Sequence, residues 1–376
     1  MKRLIYISFF LALLSCDKEG GQNHVDSFMK FVVNTPDADV QVKSELTNDL
    51  LVDKTKANIY VYAEQSDGTT SSPIVNMPGT QLIYDTEVKV WNPTEYEYNN
   101  GSYSYQSLMW DANAKSYYRF YGFAFSSNAV VGTNLNISNA TYGRQFTITQ
   151  PQSGNGTDTI DYLLSSLVNV APSGGNYPLV PIELEHAMAR VDVDVQIADA
   201  MIDADNTSLV KDIQVAISGI KNKATMLCVQ PKVYGEEGTN SWYVTYEGST
   251  TATYTQSISN TTDNMEGSDT HMDMSFIAIP VLNADMEGYV LTLTYNNASK
   301  QDSSTEPDYT YTFNLKDFTP KGWVNGHKVK YVLTIDNSIH LTGKIVDYQD
   351  ADYIEAVLIP DIVGDSDNSG ASKTNE

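Results

Sequence analysis

Residues 181–197 read PIELEHAMARVDVDVQI, and few folds can accommodate that run. Ile182, Leu184 and Met188 alternate on one phase, while Ala187, Ala189, Val191, Val193, Val195 and Ile197 alternate on the other. Between Val191 and Ile197 the intervening residues are Asp192, Asp194 and Gln196. Alternation with period two and polar partners describes a strand with one dry face and one wet face. The phase changes across residues 186–190. Such a change moves the apolar set to the opposite face, so it needs a bulge or a strand that passes from one sheet to another. Just upstream, residues 171–181 (APSGGNYPLVP) hold three Pro and two Gly and read as a linker. The expected division is therefore an N-terminal unit over 28–180 and a C-terminal unit with a polar tail over 181–376.

The rest of the chain favours strands. Its 376 residues suffice for about two domains with separate cores. Tyr is abundant at 25 residues, and only 19% of residues are charged, a composition that suits strands better than long helices. Strand candidates fall at 28–34, 59–63, 89–93, 117–125 and 146–149 in the first half. In the second half they fall at 212–220, 226–233, 242–246, 276–282, 289–295, 309–315 and 329–335. The segment 117–125 (YYRFYGFAF) is apolar on both faces near its end, as a strand covered on two sides would be. Residues 162–168 fit either a helical turn or a strand. Asn325-Gly326 and Asn337-Ser338 are turn signals. Many short strands at about ten-residue spacing indicate an all-β fold of two β-sandwiches in tandem.

The N-terminus carries the most specific signal. Lys2 and Arg3 precede an apolar stretch over 4–14 that is too short to span a bilayer, and the stretch ends in Leu13-Leu14-Ser15-Cys16. This resembles a bacterial lipoprotein signal. Residues 1–15 would be removed, Cys16 would become the lipidated first residue, and 16–27 would form a tether. The only other cysteine is Cys228, so two cysteines exclude a disulfide framework. Cys228 reads as a small core residue.

Little in the chain suggests catalysis. The histidines are His24, His186, His271, His327 and His340, and no pair has a zinc-ligand spacing. Asp269, His271 and Asp273 (DTHMD) form the one local group of metal-ligand types, and the spacing fits a solvated strand or loop equally well. His186, at the phase change, reads as a structural histidine with a partner. Phosphate-binding glycine loops and nucleophile elbows are absent. The formal charge of −24 excludes nucleic acid as a partner. The tyrosines of 96–105 could stack on sugars, although Tyr is common throughout. The expectation is a protein without enzyme activity, cofactor or metal.

Four segments in order carry a resemblance: ANIYVYA at 57–63, RFYGFAF at 119–125, VPIELEHAMARVDVDV at 180–195 and WVNGHKVKYVLTIDNSIHLTGKIVDY at 323–348. Together with the Cys16 signal they resemble the fimbrillin family of Bacteroidetes, lipoprotein precursors of surface fimbriae. The resemblance covers most of 28–350. It implies two transthyretin-like β-sandwich domains, a place on the cell outer membrane, and assembly with other fimbrial subunits by strand addition in the service of adhesion to host or bacterial surfaces. It also implies trimming after the first strand by an Arg-specific protease. This chain departs there: Arg3, Arg119, Arg144 and Arg190 are its arginines, and only the basic residues Lys43 and Lys54 lie within 35–55. An untrimmed anchor or accessory subunit fits that departure. The alternative function is a surface glycan-binding lipoprotein of a nutrient-uptake system. Near the end, 353–363 (YIEAVLIPDIV) is apolar on both phases and is a candidate strand for pairing between subunits.

Lipidation is open to a direct check. Metabolic labelling with a fatty-acid probe should mark the wild-type chain and leave Cys16→Ala unmarked, because stable anchoring by acyl chains depends on that thiol.

Overall fold

The computed structural model describes residues 29–35, 48–53, 56–66, 74–93, 110, 117–127, 129–130, 132–140, 143–165, 168–170, 177–198, 201, 209–229, 243–258, 270–297, 307–335, 340–347, 357–358 and 361–362. In chain order the first half holds β1 (Phe31–Asn34), the single helical turn α1 (Asn48–Leu51), β2 (Ala57–Ser66), β3 (Ile74–Asp85), β4 (Val90–Pro93), β5 (Tyr117–Ser126), β6 (Leu135–Ala140), β7 (Gly143–Thr149), β8 (Ser153–Gly154), β9 (Tyr162–Ser165) and β10 (Val168–Val170). Then come β11 (Val180–His186), β12 (Ala189–Ile197), β13 (Val210–Lys221), β14 (Lys223–Val229), β15 (Tyr243–Tyr246), β16 (Thr251–Ile258) and β17 (Thr270–Ala278). The last are β18 (Val290–Asn297), β19 (Tyr309–Asn314), β20 (His327–Ile335), β21 (His340–Asp347), β22 (Val357–Leu358) and β23 (Asp361–Ile362). The all-β expectation holds, and within 162–168 the described residues Tyr162–Ser165 and Val168 are strand.

Eight strands in the order β10-β5-β2-β3-β4-β1-β11-β9 make the first sheet, and a further β5–β9 pairing closes it on itself. The closing register sets Phe123 against Leu164 and Ala124 against Leu163. Inside the closed sheet lie Phe31, Val33, Ile59, Val61, Leu82, Trp91, Phe120, Val180, Ile182 and Leu184. Leu51 of α1 plugs into the same core. One position makes closure possible. A Cβ on Gly122 would lie 2.3 Å from Ile182 Cγ2, and the Gly122 N–H donates to Ser165 Oγ at 2.7 Å. Only glycine lets β5 and β11 approach so closely.

The outer face of β5 is also dry, as its sequence suggests. Tyr121, Phe123 and Phe125 point away from the barrel interior into a second core with Leu135, Phe146, Ile148, Ala224 and Met226. Those last residues belong to a four-stranded sheet in the order β15-β14-β7-β6. β14 comes from the second half of the chain and pairs with β7 of the first over seven residue pairs.

A five-stranded sheet (β17-β12-β20-β21-β22) and a six-stranded sheet (β23-β19-β18-β13-β16-β8) enclose the third core. Val191, Val193 and Val195 of β12 meet Ile213, Val215, Leu291 and Leu293 of the facing sheet there. Trp323 is fully buried in this core and its Nε1–H donates to Tyr331 Oη at 2.9 Å. This pair of sheets is a sandwich.

Of the two courses their phase change allows, residues 181–197 take the transfer between sheets. β11 alternates Val180, Ile182, Leu184 and His186 inward with Pro181 and Glu183 outward. It pairs with β1 and β9 in the closed sheet, so 181–186 sit beside strands of the first half. Ala187 and Met188 leave strand geometry and join the middle core. The next strand, β12, lies at the centre of the sandwich sheet, antiparallel to β17 and parallel to β20.

Overpacking at the closing strand should be costly. Gly122→Val should lower stability by about 3 kcal/mol, at the upper end of what added methylenes cost in a packed core. Urea unfolding monitored by near-ultraviolet dichroism measures the loss.

Candidate functional site

Two regions bring functional side chains together: the junction where β11 becomes β12, and the outer face of the five-stranded sheet. At the junction His186 Nδ1 lies 2.9 Å from Asp161 Oδ2, with the two side chains 2% and 0% exposed. The sequence marks His186 as structural, and the structure supplies the partner. Around it runs a seam of buried polar groups on the segment between β7 and β9. Gln150 grips the backbone of Ile160 at both ends: its Nε2–H donates to Ile160 O at 2.6 Å and its Oε1 accepts from Ile160 N–H at 2.8 Å. Asn222 exchanges bonds with the Gln150 backbone. Thr159 Oγ1 accepts from Ile277 N–H of β17 at 2.9 Å, and Tyr254 Oη donates to Pro151 O at 2.8 Å. The segment thus stitches the closed sheet, the four-stranded sheet and both sheets of the sandwich. Buried polar groups are stable only when paired in this way.

The outer face of β12 differs from its sequence expectation. Arg190, Asp192 and Asp194 are buried at 5%, 4% and 6% exposure rather than wet. The reason is the neighbouring parallel strand, whose Lys328 and Lys330 fold across them. Arg190 Nε donates to Asp192 Oδ1 at 2.8 Å, Lys328 Nζ sits 2.8 Å from Asp192 Oδ2, and Lys330 Nζ pairs with Asp194 Oδ2. Ser275 Oγ donates to Asp192 Oδ1 at 2.5 Å from the other side. Burial pulls the Asp192 carboxyl upward, but the Arg190 charge and the hydrogen bonds from Arg190, Lys328 and Ser275 outweigh it and leave the group below the usual carboxylate range. Asp273, exposed across from Asp194 on β17, moves the opposite way. Partial desolvation raises its carboxyl, and the Asp192 and Asp194 charges add to the rise. The result is a charge ladder across three strands, with each buried carboxylate matched by a cation. It orders strands, and nothing in it resembles a nucleophile with a base. Among the described residues, no group of three or more His, Cys, Asp or Glu is placed to hold a metal ion.

Other sequence candidates are dispersed. The backbone of His271 lies in β17, one step before Met272, and that of His340 opens β21. His327 Nδ1 is 2.8 Å from Asn325 O in the turn before β20. The backbone of Cys228 lies in β14. Cys16, His24, Asp269 and the tyrosine segment 96–105 lie outside the described residues. Asp161, Gln150 and Asn222 carry the junction, and sequence reading passed over them. Single polar residues between strands give no periodic signal, so only the fold reveals that they meet. The Lys328 and Lys330 alternation in HKVKY, by contrast, was a readable match to Asp192 and Asp194.

Among the described residues the terminal elements make short pairings. β1 pairs with β11 over four residues and with β4 through the single pair Phe31–Trp91. Of segment 353–363, β22 pairs with β21 through Leu358–Leu341 and Val357–Thr342, and β23 pairs with β19 through Ile362–Tyr311 and Asp361–Thr312. The segment therefore touches one edge of each sandwich sheet.

The fimbrillin-like family model matches residues 44–347, which is most of the chain. The chain belongs to the fimbrillin-like family. Both β1 and the β22–β23 segment fall outside the matched span. Among solved structures, a fimbrial protein from Bacteroides vulgatus ATCC 8482 is similar with a TM-score of 0.53 and 16% identity, over 85% of this chain and 99% of that one. A fimbrial assembly protein from Parabacteroides distasonis ATCC 8503 aligns over 87% of this chain and 98% of that one, with a TM-score of 0.38 and 11% identity. No curated protein matches the chain. Membership of this family implies a surface-exposed fimbrial protein that works with other fimbrial subunits. No helix among the described residues is long and apolar enough to cross a membrane.

The ladder has a pH signature. Asp192→Asn should cost about 3 kcal/mol at pH 7, because it leaves Arg190 buried without its full counter-charge. The native Asp192 carboxyl lies below its unfolded value, so its contribution is present above the ordinary carboxylate range and is lost as pH falls through the lower native value. Wild-type and variant stabilities measured by urea unfolding should converge as pH drops through that window.

Proposed function

We propose that this fimbrillin-like protein is a structural, non-enzymatic subunit of surface fimbriae, joined to its neighbours by β-strand exchange. The observation that supports the reading is the short pairing of β22 and β23 among the described residues. β22 and β23 contribute two residue pairs each, whereas β20 and β21 share eight. An extended segment with so few ladder bonds at home can transfer to a sheet edge on another subunit, where main-chain bonds give affinity and alternate side chains give specificity. The place of β1 is the matching receiving site. Met29, Phe31 and Val33 fill apolar positions inside the closed sheet, and Phe31 packs edge-on against Phe120 at 5.7 Å. A strand that takes over these positions is bound on both edges, by β4 and β11.

The rest of the reading follows from the sequence. The body combines the two halves of the chain, 28–180 and 181–376, with β11 and β14 of the second half paired into sheets of the first. A signal over 1–15 directs export, and lipid on Cys16 with the tether 16–27 holds the body at the outer membrane. With no Arg in 35–55, β1 stays joined to the body when it is displaced rather than being cut away. That keeps the lipid tether in place and suits an anchor or accessory subunit. Adhesion is the function of the assembled fibre.

Truncation after Asp352 tests the exchange. The shortened chain should fold with a melting temperature within a few degrees of wild type, since only the short pairings of β22 and β23 are lost, while fibres on the cell surface disappear from electron micrographs. A truncated chain that assembles as well as the full one would overturn the proposal. So would one that fails to fold, because the segment would then belong to the core of its own subunit.

A further inference from the structure

Large exposed apolar side chains are few among the described residues, and half of them stand on one wall. Ile83, Val88 and Leu179 are 44%, 60% and 48% exposed, and all three belong to the β3-β4-β1-β11 side of the closed sheet. Register places them. Ile83 pairs with Asn92 across β3 and β4. The Phe31–Trp91 pair sets Asn92 beside Lys30, and the Val180 N–H donates to Lys30 O at 2.9 Å, which brings Leu179 alongside. One row therefore runs Ile83, Asn92, Lys30, Leu179. The next runs Asp85, Val90, Val32, Pro181, with Val32 and Val90 half-buried and Pro181 exposed. Four strands at about 4.8 Å spacing make this wall about 14 Å wide between Ile83 and Leu179. Val88 tops the hairpin that joins β3 to β4, in a turn where Asp85 Oδ1 accepts from the Glu87 and Val88 N–H groups.

A chain of net charge −24 has ample polar residues for its outer surfaces. The outer face of the four-stranded sheet shows the usual solution: Thr147 and Thr225 share a hydroxyl contact at 2.9 Å, and Lys223 pairs with Glu247 at 3.0 Å. The wall around β1 is mixed: Asn92 and Lys30 lie between Ile83 and Leu179, and Asn34 donates to Glu183 at 3.1 Å, but it holds half of the exposed large apolar side chains among the described residues. Clustered exposed apolar residues on an otherwise polar protein mark a protein contact. Position identifies the occupant. β1 lies in the middle of this wall, and any strand that replaces it brings the body of its own subunit to the same side.

We infer that the wall formed by Ile83, Val88, Val90, Leu179 and Pro181 seats the body of the neighbouring fimbrial subunit whose strand enters the place of β1. The inference rests on the strand-exchange reading. It adds an apolar contact between folded bodies to the main-chain bonds of the inserted strand. Two like-charged acidic bodies meet best where carboxylates are few, and Asp85 is the one carboxylate in the two rows described above.

Two variants of the full-length chain separate the wall from the slot. Ile83→Glu with Leu179→Glu changes exposed side chains only, so melting temperature should hold. The fraction of the chain recovered in sedimentable surface fibres should fall at least tenfold. If the double Glu variant melts early, Ile83→Ser with Leu179→Ser serves in its place, with the same expected direction. Asn34→Cys with Glu183→Cys joins register partners whose side chains already meet at 3.1 Å, and so pins β1 in place when oxidised. Its fibres should vanish when oxidised and return on reduction. Fibres that form normally in the pinned, oxidised chain would overturn the slot, and the charge variants would still decide the wall. Normal fibre yield in folded charge variants would overturn the wall whatever the pinned chain does.

Discussion

The parallel pairing of β12 with β20 is the contact on which the rest of the molecule depends. Eight consecutive residue pairs join the two strands, and β17 completes the set on the other edge of β12. On one side of this ribbon Val191, Val193, Val195, Val329, Tyr331 and Leu333 fill the sandwich core. On the other side Arg190, Asp192 and Asp194 lock to Lys328 and Lys330. A central strand can bury both faces only if the polar face is neutralised group by group, and the ladder does this. Unpaired buried charges would otherwise cost several kcal/mol each. Because β12 continues directly from β11, the same ribbon is fixed to the closed sheet, and the Asp161–His186 contact sits at the crossing.

Much of this was legible in the sequence. The two phases of 181–197 called for a bulge or a strand that changes sheets, and the structure takes the second course; the two dry faces of 117–125 announced a strand covered on both sides. Local periodicity reports which face of a strand is buried, and it did so correctly for β5, β11 and the valines of β12. It does not report partners. Nothing local in 223–229 says that β14 pairs with β7, about eighty residues earlier, because register across such separations is settled by packing. The closure of the first sheet was unreadable for the same reason, and its key, Gly122, looks like an ordinary glycine in an aromatic strand. Asp192 and Asp194 were read as wet because alternation cannot distinguish water from a lysine lying across a carboxylate.

The candidate site was legible in a different sense. Family likeness supplied the fimbrial role, and among the described residues the terminal strands make short pairings. β1 is bound on one edge by a single residue pair, and β22 and β23 by two pairs each. A body so thoroughly cross-stitched suits a building block of the proposed fibre, which has to stay folded as subunits join. The buried seam of Gln150, Asn222 and Thr159 has the same logic.

The central claim is that the closed sheet and the sandwich are held as one cooperative body by the β11–β12 run and the seam beside it. Native-state hydrogen exchange read by mass spectrometry tests it most directly, through peptides covering β5 in the closed sheet and β20 in the sandwich. The account predicts that both become exchange-competent in the same opening, with opening constants that agree within about tenfold across a urea series. Separate openings, with the sandwich strand still protected after the barrel strand has exchanged, would contradict it.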